Sequence, residues 1–176
     1  DIDFVAASFV SFAEEVVQIK DYLKSLNSSA RVIAKIENEE GVNNISSILK
    51  EADGVMVARG DLGVQLPVER IPLAQKHIIS ACREAGKPVI TATQMLDSMM
   101  HRQVPTRAEV SDIFNAVLDG ASSVMVTEET AAGEYPALAI RYLCRTVREA
   151  EAFREETGDG SLAPGMSALK SNSRLY

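Results

Sequence analysis

Gly54-Val55-Met56-Val57-Ala58-Arg59-Gly60-Asp61-Leu62-Gly63 begins as an apolar run long enough to cross a buried sheet and ends abruptly in a charged turn with two glycines. Gly60 has no Cβ, so a ligand or a second backbone can approach the peptide there, and positive φ costs nothing. Asp61 places a carboxylate just beyond the strand, where its oxygens suit a hard cation. A solvated strand-to-helix turn whose Asp caps the next segment fits the same residues. The rest of the chain decides between the two.

Strand followed by helix recurs on both sides of this stretch. Upstream, Phe4 to Phe9 reads as a strand buried on both faces. Ser11-Phe12-Ala13-Glu14 is a capping box, and Val16, Ile19, Leu23 and Leu26 follow at helical spacing. Val32-Ile33-Ala34 makes a second strand that breaks into Lys35-Ile36-Glu37-Asn38, before a helix over 43–52. Downstream, 67–85 predicts a helix with Ala74, Ile78, Ala81 and Ala85 in register, stopped by Gly86 and Pro88. Val89 to Thr93 is a fourth strand. Thr106-Arg107-Ala108-Glu109 opens a helix carrying Val110, Phe114, Val117 and Leu118, and Ser123 to Val126 is a fifth strand. A polar turn over 127–133 and Pro136 lead into a last helix with Ile140, Leu143, Val147 and Ala150 inward. Strands that are apolar throughout, alternating with helices, predict an α/β fold with a parallel, helix-covered sheet of five strand-helix units. Right-handed crossovers bring every strand's C-terminal end to one rim.

The 176 residues suit one domain, with 46% hydrophobic and 24% charged residues as in an ordinary globular protein. A net charge of −7 and a pI near 4.9 repel phosphate backbones and anionic lipid, which argues against a nucleic-acid or membrane partner. No apolar run approaches the roughly 20 residues of a membrane helix, and no signal-peptide pattern opens the sequence. Cys82 and Cys144 both fall on faces expected to be buried, without metal-ligand spacing, so free core thiols in a reducing compartment are expected. Two histidines alone, His77 at the core's edge and His101 in a loop, argue against a histidine-rich zinc centre. After Arg154 the helical pattern stops, so 154–176 reads as a linker or disordered tail and 1–153 as the folded part.

Polar residues gather at the strand ends. Lys35 and Glu37 are two apart and point to one side of their strand. Asp61 follows the next strand, Thr93 and Gln94 the fourth, and Thr127, Glu128, Glu129 and Thr130 the fifth. Two carboxylates from neighbouring strands suit magnesium, and a lysine beside them suits phosphoryl transfer, where charge neutralisation and positioning supply the catalysis. Taken singly, Lys35 and Glu37 could be an ion pair and Glu128 a solvated rim residue.

Ala34-Lys35-Ile36-Glu37-Asn38, Met56 to Gly63, Ala92-Thr93-Gln94-Met95-Leu96-Asp97-Ser98-Met99, Pro105 to Glu109, and Glu129-Thr130-Ala131 with Gly133, Tyr135 and Pro136 together resemble the barrel domain of pyruvate kinase. The resemblance covers 1 to about 153 and implies strands four to eight of a partial TIM-type (β/α)8 barrel, with the active site at the C-terminal rim. Carried over, it implies that Glu37 and Asp61 are magnesium (or manganese) ligands and that Lys35 stabilises the transferring phosphoryl group and the enolate. Gly60, Asp61 and Thr93 would cradle the phosphoenolpyruvate carboxylate, with Thr127 and Glu129 also in the catalytic set. The implied reaction moves the phosphoryl group of phosphoenolpyruvate to ADP and protonates enolpyruvate at carbon. A potassium ion is implied as well, its ligands lying outside this sequence, as are a homo-oligomer and a cytoplasmic or plastid location.

The family usually has Ser-Gly-Glu-Thr where Thr127-Glu128-Glu129-Thr130 stands here. That keeps a hydroxyl but adds bulk and negative charge. Five of eight strands cannot close a barrel, so the chain is expected to need the remainder of the barrel or sister subunits and to be inactive alone. A non-catalytic subunit is the alternative reading. A magnesium-dependent carbon-carbon lyase acting on pyruvate enolate is a third, and Lys35 counts against it.

Overall fold

The computed structural model describes residues 2–157; the expected tail over 158–176 lies outside them. They fall into two compact units. One holds 2–94 with 120–127, the other 95–119 with 128–157.

The first unit carries a five-stranded sheet: β1 (Phe4–Ala7), β2 (Arg31–Ile36), β3 (Gly54–Ala58), β4 (Val89–Ala92) and β5 (Ser123–Met125). The strands lie in sequence order and every neighbouring pair is parallel. One face takes Val32, Ala34, Ile36, Val55, Val57 and Val89, all fully buried. It packs against Val16 of α1 (Ala13–Ser25), Ile45, Ile48 and Leu49 of α3 (Ile45–Glu51), and Ala74, Ile78 and Ile79 of α5 (Ile71–Glu84). Each buried Ile or Val there stabilises by about 2 kcal/mol. This is the α/β partial-barrel arrangement of five parallel strand-helix units that the sequence led us to expect. The expectation of a doubly buried first strand fails, because Phe4 and Ala6 are exposed. β1 is an edge strand, and the Arg31 guanidinium lies 4.0 Å from the centroid of the Phe4 ring.

Local chemistry moves several element boundaries. The carboxylate that closes the N-terminus of α1 is Glu15, not Glu14. It accepts the amides of Ser11 (2.7 Å) and Phe12 (3.0 Å), while the Ser11 hydroxyl accepts from the Asn38 side chain at 2.9 Å. The helix expected over 43–52 is two, α2 (Glu39–Asn43) and α3, which meet at Asn44. Asn38 caps the first through the Gly41 amide at 2.7 Å, and Asn44 donates to the Ser11 carbonyl at 2.9 Å. The turn after β3 is helical, α4 (Arg59–Gln65), and a 3-10 turn (Val68–Arg70) precedes α5, so no helix begins at Pro67. Gly86, at φ 64°, ends α5 in a Schellman turn: its amide bonds Arg83 and that of Lys87 bonds Cys82.

The second unit contains a 3-10 turn (Asp97–Met100), α6 (Arg107–Asp119), α7 (Glu128–Ala131) and α8 (Pro136–Thr157). Its core includes Met95, Leu96, Met99, Ile113, Ala139 and Leu143, with Phe114 and Phe153 ring centroids 5.8 Å apart. The expected polar turn over 127–133 contains a helical turn instead. The last helix continues to Thr157, past the boundary expected near Arg154, and Ile140 is exposed rather than inward. Of the two thiols, Cys82 is buried and Cys144 exposed.

Candidate functional site

Parallel pairing places the ends of β2, β3, β4 and β5 on one edge of the sheet. Lys35 is the penultimate residue of β2 and Glu37 follows its end. Lys35 Nζ lies 2.7 Å from Glu37 Oε1 and donates to the Ser8 hydroxyl at 3.1 Å. The Glu37 side chain is only 1% exposed, and its Oε2 accepts the Phe9 amide at 2.5 Å. Phe9, at φ 55°, turns the chain left-handed to present that amide. The ion pair weighed from the sequence is therefore present, and it forms at a strand end. Lys35 keeps a quarter of its side chain exposed, so the ammonium can still meet a ligand.

The neighbouring strand end supplies Arg59, Gly60 and Asp61 in the first turn of α4, with Asp61 half-buried. Gly60 does not use the left-handed freedom expected of it. Its amide donates to Thr93 Oγ1 at 2.7 Å, and a Cβ on Gly60 would sit 3.4 Å from that oxygen. The Thr93 hydroxyl in turn donates to the Ala92 carbonyl at 2.6 Å. Strain sits instead at Thr93 (φ 66°) and Gln94 (φ 52°), adjacent non-glycine residues in the left-handed region. Thr127 lies two residues beyond β5 and is partly buried.

Glu129 belongs to the second unit. It is 2% exposed and accepts the Leu96 amide at 2.9 Å. In that unit Thr106 and Glu109 form the expected capping box. The Thr106 hydroxyl accepts the Glu109 amide at 3.2 Å, and Glu109 Oε2 accepts the Thr106 amide at 2.7 Å. Glu109 also takes the amide (2.7 Å) and hydroxyl (2.6 Å) of Ser98. Burial pushes its pKa up, but these bonds from Ser98 and Thr106 outweigh that and hold it below the usual 4.5. Glu128 is exposed, as a solvated rim residue should be.

The donor chemistry fits a hard divalent cation. Among the described residues no three His, Cys, Asp or Glu side chains gather as a ready-made metal cage. Magnesium, however, uses one or two carboxylates with substrate oxygens and water. Carboxylates at two adjacent strand ends meet that need. Arg59, which nothing in the sequence singled out, is buried at 6% exposure. His77 is exposed and lines a cavity of about 300 Å³ with Glu39, Leu66 and Arg70; none of the strand-end candidates lines it.

Comparison with known proteins gives one consistent result. Residues 1–140 match the family model described as pyruvate kinase, barrel domain. A pyruvate kinase of Dictyostelium discoideum is 49% identical over 173 residues, 98% of this chain and 34% of that protein. One from Geobacillus stearothermophilus is 57% identical over 141 residues, 80% of this chain and 24% of its own length. A third, from Leishmania mexicana, is 50% identical over 155 residues, 88% and 31% respectively. The chain thus spans about a third or less of the relatives it matches.

Proposed function

The chain belongs to the pyruvate kinase family, and on that premise we propose that the complete protein moves the phosphoryl group of phosphoenolpyruvate to ADP, giving pyruvate and ATP. The observation that carries the proposal is the buried Glu37 with Lys35 Nζ 2.7 Å away, on the strand beside the Arg59-Gly60-Asp61 turn. In the reaction the bond from phosphorus to the enol oxygen breaks and a bond to a terminal ADP oxygen forms. The enolate carbon then takes a proton.

Each residue has a task in this reading. Lys35 offsets the charge spread over the transferring group and then over the enolate oxygen. Glu37 and Asp61 would hold magnesium or manganese, which supplies Lewis-acid stabilisation of phosphoryl and enolate oxygens when bound. The Gly60 and Asp61 amides receive the substrate carboxylate. The Thr93 hydroxyl, held 2.7 Å from the Gly60 amide, would complete that cradle. Thr127 joins the catalytic set. We further propose that residues 1–153 form the barrel piece, and that the unpaired edges of β1 and β5 receive the remaining barrel strands. Potassium would be held by residues outside this chain, and the complete protein would be a cytoplasmic homo-oligomer. Among the described residues no helix is long and apolar enough to cross a membrane.

The test uses the full-length protein. Phosphoenolpyruvate binding, followed by calorimetry, should require magnesium and vanish in Glu37→Ala and in Asp61→Ala. Unchanged binding in either variant sinks the assignment, and no pyruvate at saturating substrates sinks the activity.

A further inference from the structure

We infer that Arg59 is a positioning residue for this site: its guanidinium fixes the left-handed Thr93-Gln94 backbone that aims the Thr93 hydroxyl at the Gly60 amide. The inference rests on the proposed function and deepens it, because Thr93 and Gly60 are where that reading seats the substrate carboxylate.

Two successive non-glycine residues at positive φ persist only where their surroundings over-determine them. Here one side chain bonds both carbonyls. Arg59 Nη2 donates to the Thr93 carbonyl at 2.7 Å and to the Gln94 carbonyl at 3.0 Å, and Nε adds a second bond to Thr93 at 3.2 Å. Nη1 faces Gln75 Oε1 at 3.4 Å, and both Arg59 and Gln75 are 6% exposed, so the fork has a buried support. A planar guanidinium can serve two adjacent carbonyls at once, whereas an ammonium is a point donor on a flexible stem.

Arg59 also precedes Gly60 in the chain. Its backbone therefore sits at the end of β3 while its side chain grips the end of β4. Through that one residue the Gly60 amide and the Thr93 hydroxyl are brought to 2.7 Å. Loosening the fork should let Thr93 and Gln94 relax toward ordinary backbone angles and swing the hydroxyl away from the amide.

The experiment uses full-length protein carrying Arg59→Lys, which keeps the charge and loses the fork. Hydrogen exchange at the Gly60 amide, read without any turnover, should speed up at least about tenfold, since its partner is no longer held. The KM for phosphoenolpyruvate should rise about tenfold while that for ADP stays fixed; a merely unstable variant would lose active molecules and move neither KM. In a Thr93→Ala background the effect of Arg59→Lys on the phosphoenolpyruvate KM should shrink to under about twofold, because the residue acts through Thr93. Should Arg59→Lys not fold, Gln75→Leu removes one support of the fork and should change the same exchange rate by a smaller factor in the same direction. Unchanged Gly60 exchange in both variants, or additive losses in the double mutant, overturns the inference. Faster Gly60 exchange in a protein that never makes pyruvate would uphold the role of Arg59 and overturn the proposed activity instead.

Discussion

Glu37 and Glu109 each pin a piece of chain distant in sequence, yet their oxygens face different partners. Glu109 accepts four hydrogen bonds, all from the neutral amides and hydroxyls of Ser98 and Thr106. Glu37 accepts one neutral amide and meets one ammonium. A carboxylate closed by neutral donors is finished as a structural clamp. One whose second oxygen faces a partly exposed lysine can exchange partners: on the proposed function an anionic substrate would draw the ammonium and leave that oxygen to a metal. On the proposed function the pair separates a residue that holds the fold from one that would hold it and also serve the reaction.

The largest test of that separation is Glu37→Gln in the full-length protein. It keeps an acceptor for the Phe9 amide and removes the charge, so kcat/KM for phosphoenolpyruvate should fall by about 10³ (about 4 kcal/mol) or more. A fall of less than tenfold would place Glu37 with Glu109 as a clamp. Lys35→Met should cost about 10² in kcat, in steady-state assays at saturating ADP. Glu109→Gln should show the opposite profile. Stability in urea should drop by about 2 kcal/mol, since donors at Ser98 and Thr106 lose their charged acceptor, while turnover per folded molecule stays within about twofold.

Acid sharpens the comparison further. The folded pKa of Glu109 lies below its usual 4.5, so its stabilisation is complete above that value and is lost as pH falls through the folded pKa. Asp53 behaves alike below 3.8: burial raises its pKa, but the Val32 amide and Lys20 bring it down further. The acid limb of a urea-stability profile should therefore flatten in Glu109→Gln. The smallest effect is expected for Lys20→Met, which breaks the partly buried 2.9 Å pair with Asp53 and should cost about 1 kcal/mol.

How much was readable in the chain follows from where each signal resides. β3 was legible because five consecutive small or apolar residues, all buried in the structure, end in Arg-Gly-Asp. The Thr106-Glu109 box was legible because both partners lie within four residues. The helical nature of Arg59–Gln65 was hidden: Gly60, Asp61 and Gly63 are poor helix formers, and the helix rests instead on the burial of Leu62 and Arg59. Glu15 displaced Glu14 because the Ser11 hydroxyl is engaged by Asn38, 27 residues away. Arg59 was missed for the same reason. A charged residue beside a rim suggests solvent, and only the strained carbonyls 34 and 35 residues downstream reveal what it holds. The exposed face of β1 was misjudged because an apolar run does not state whether both faces of a strand are covered.

The sheet's neighbour order also fixes a schedule. Paired residues are never more than 34 positions apart, as in Val55 with Val89, and each strand lies beside the one made just before it. As the chain leaves the ribosome, every new strand finds its template already in place, and none waits for a segment not yet synthesised. Growth of these five strands is thus like laying courses of brick, with the Gly54 strand laid on β2 and β4 laid on it. A nascent chain halted after Met125 is expected to protect the amides of β2 and β3 from exchange before those of β4 and β5; simultaneous protection of all four would show that the sheet forms in one step.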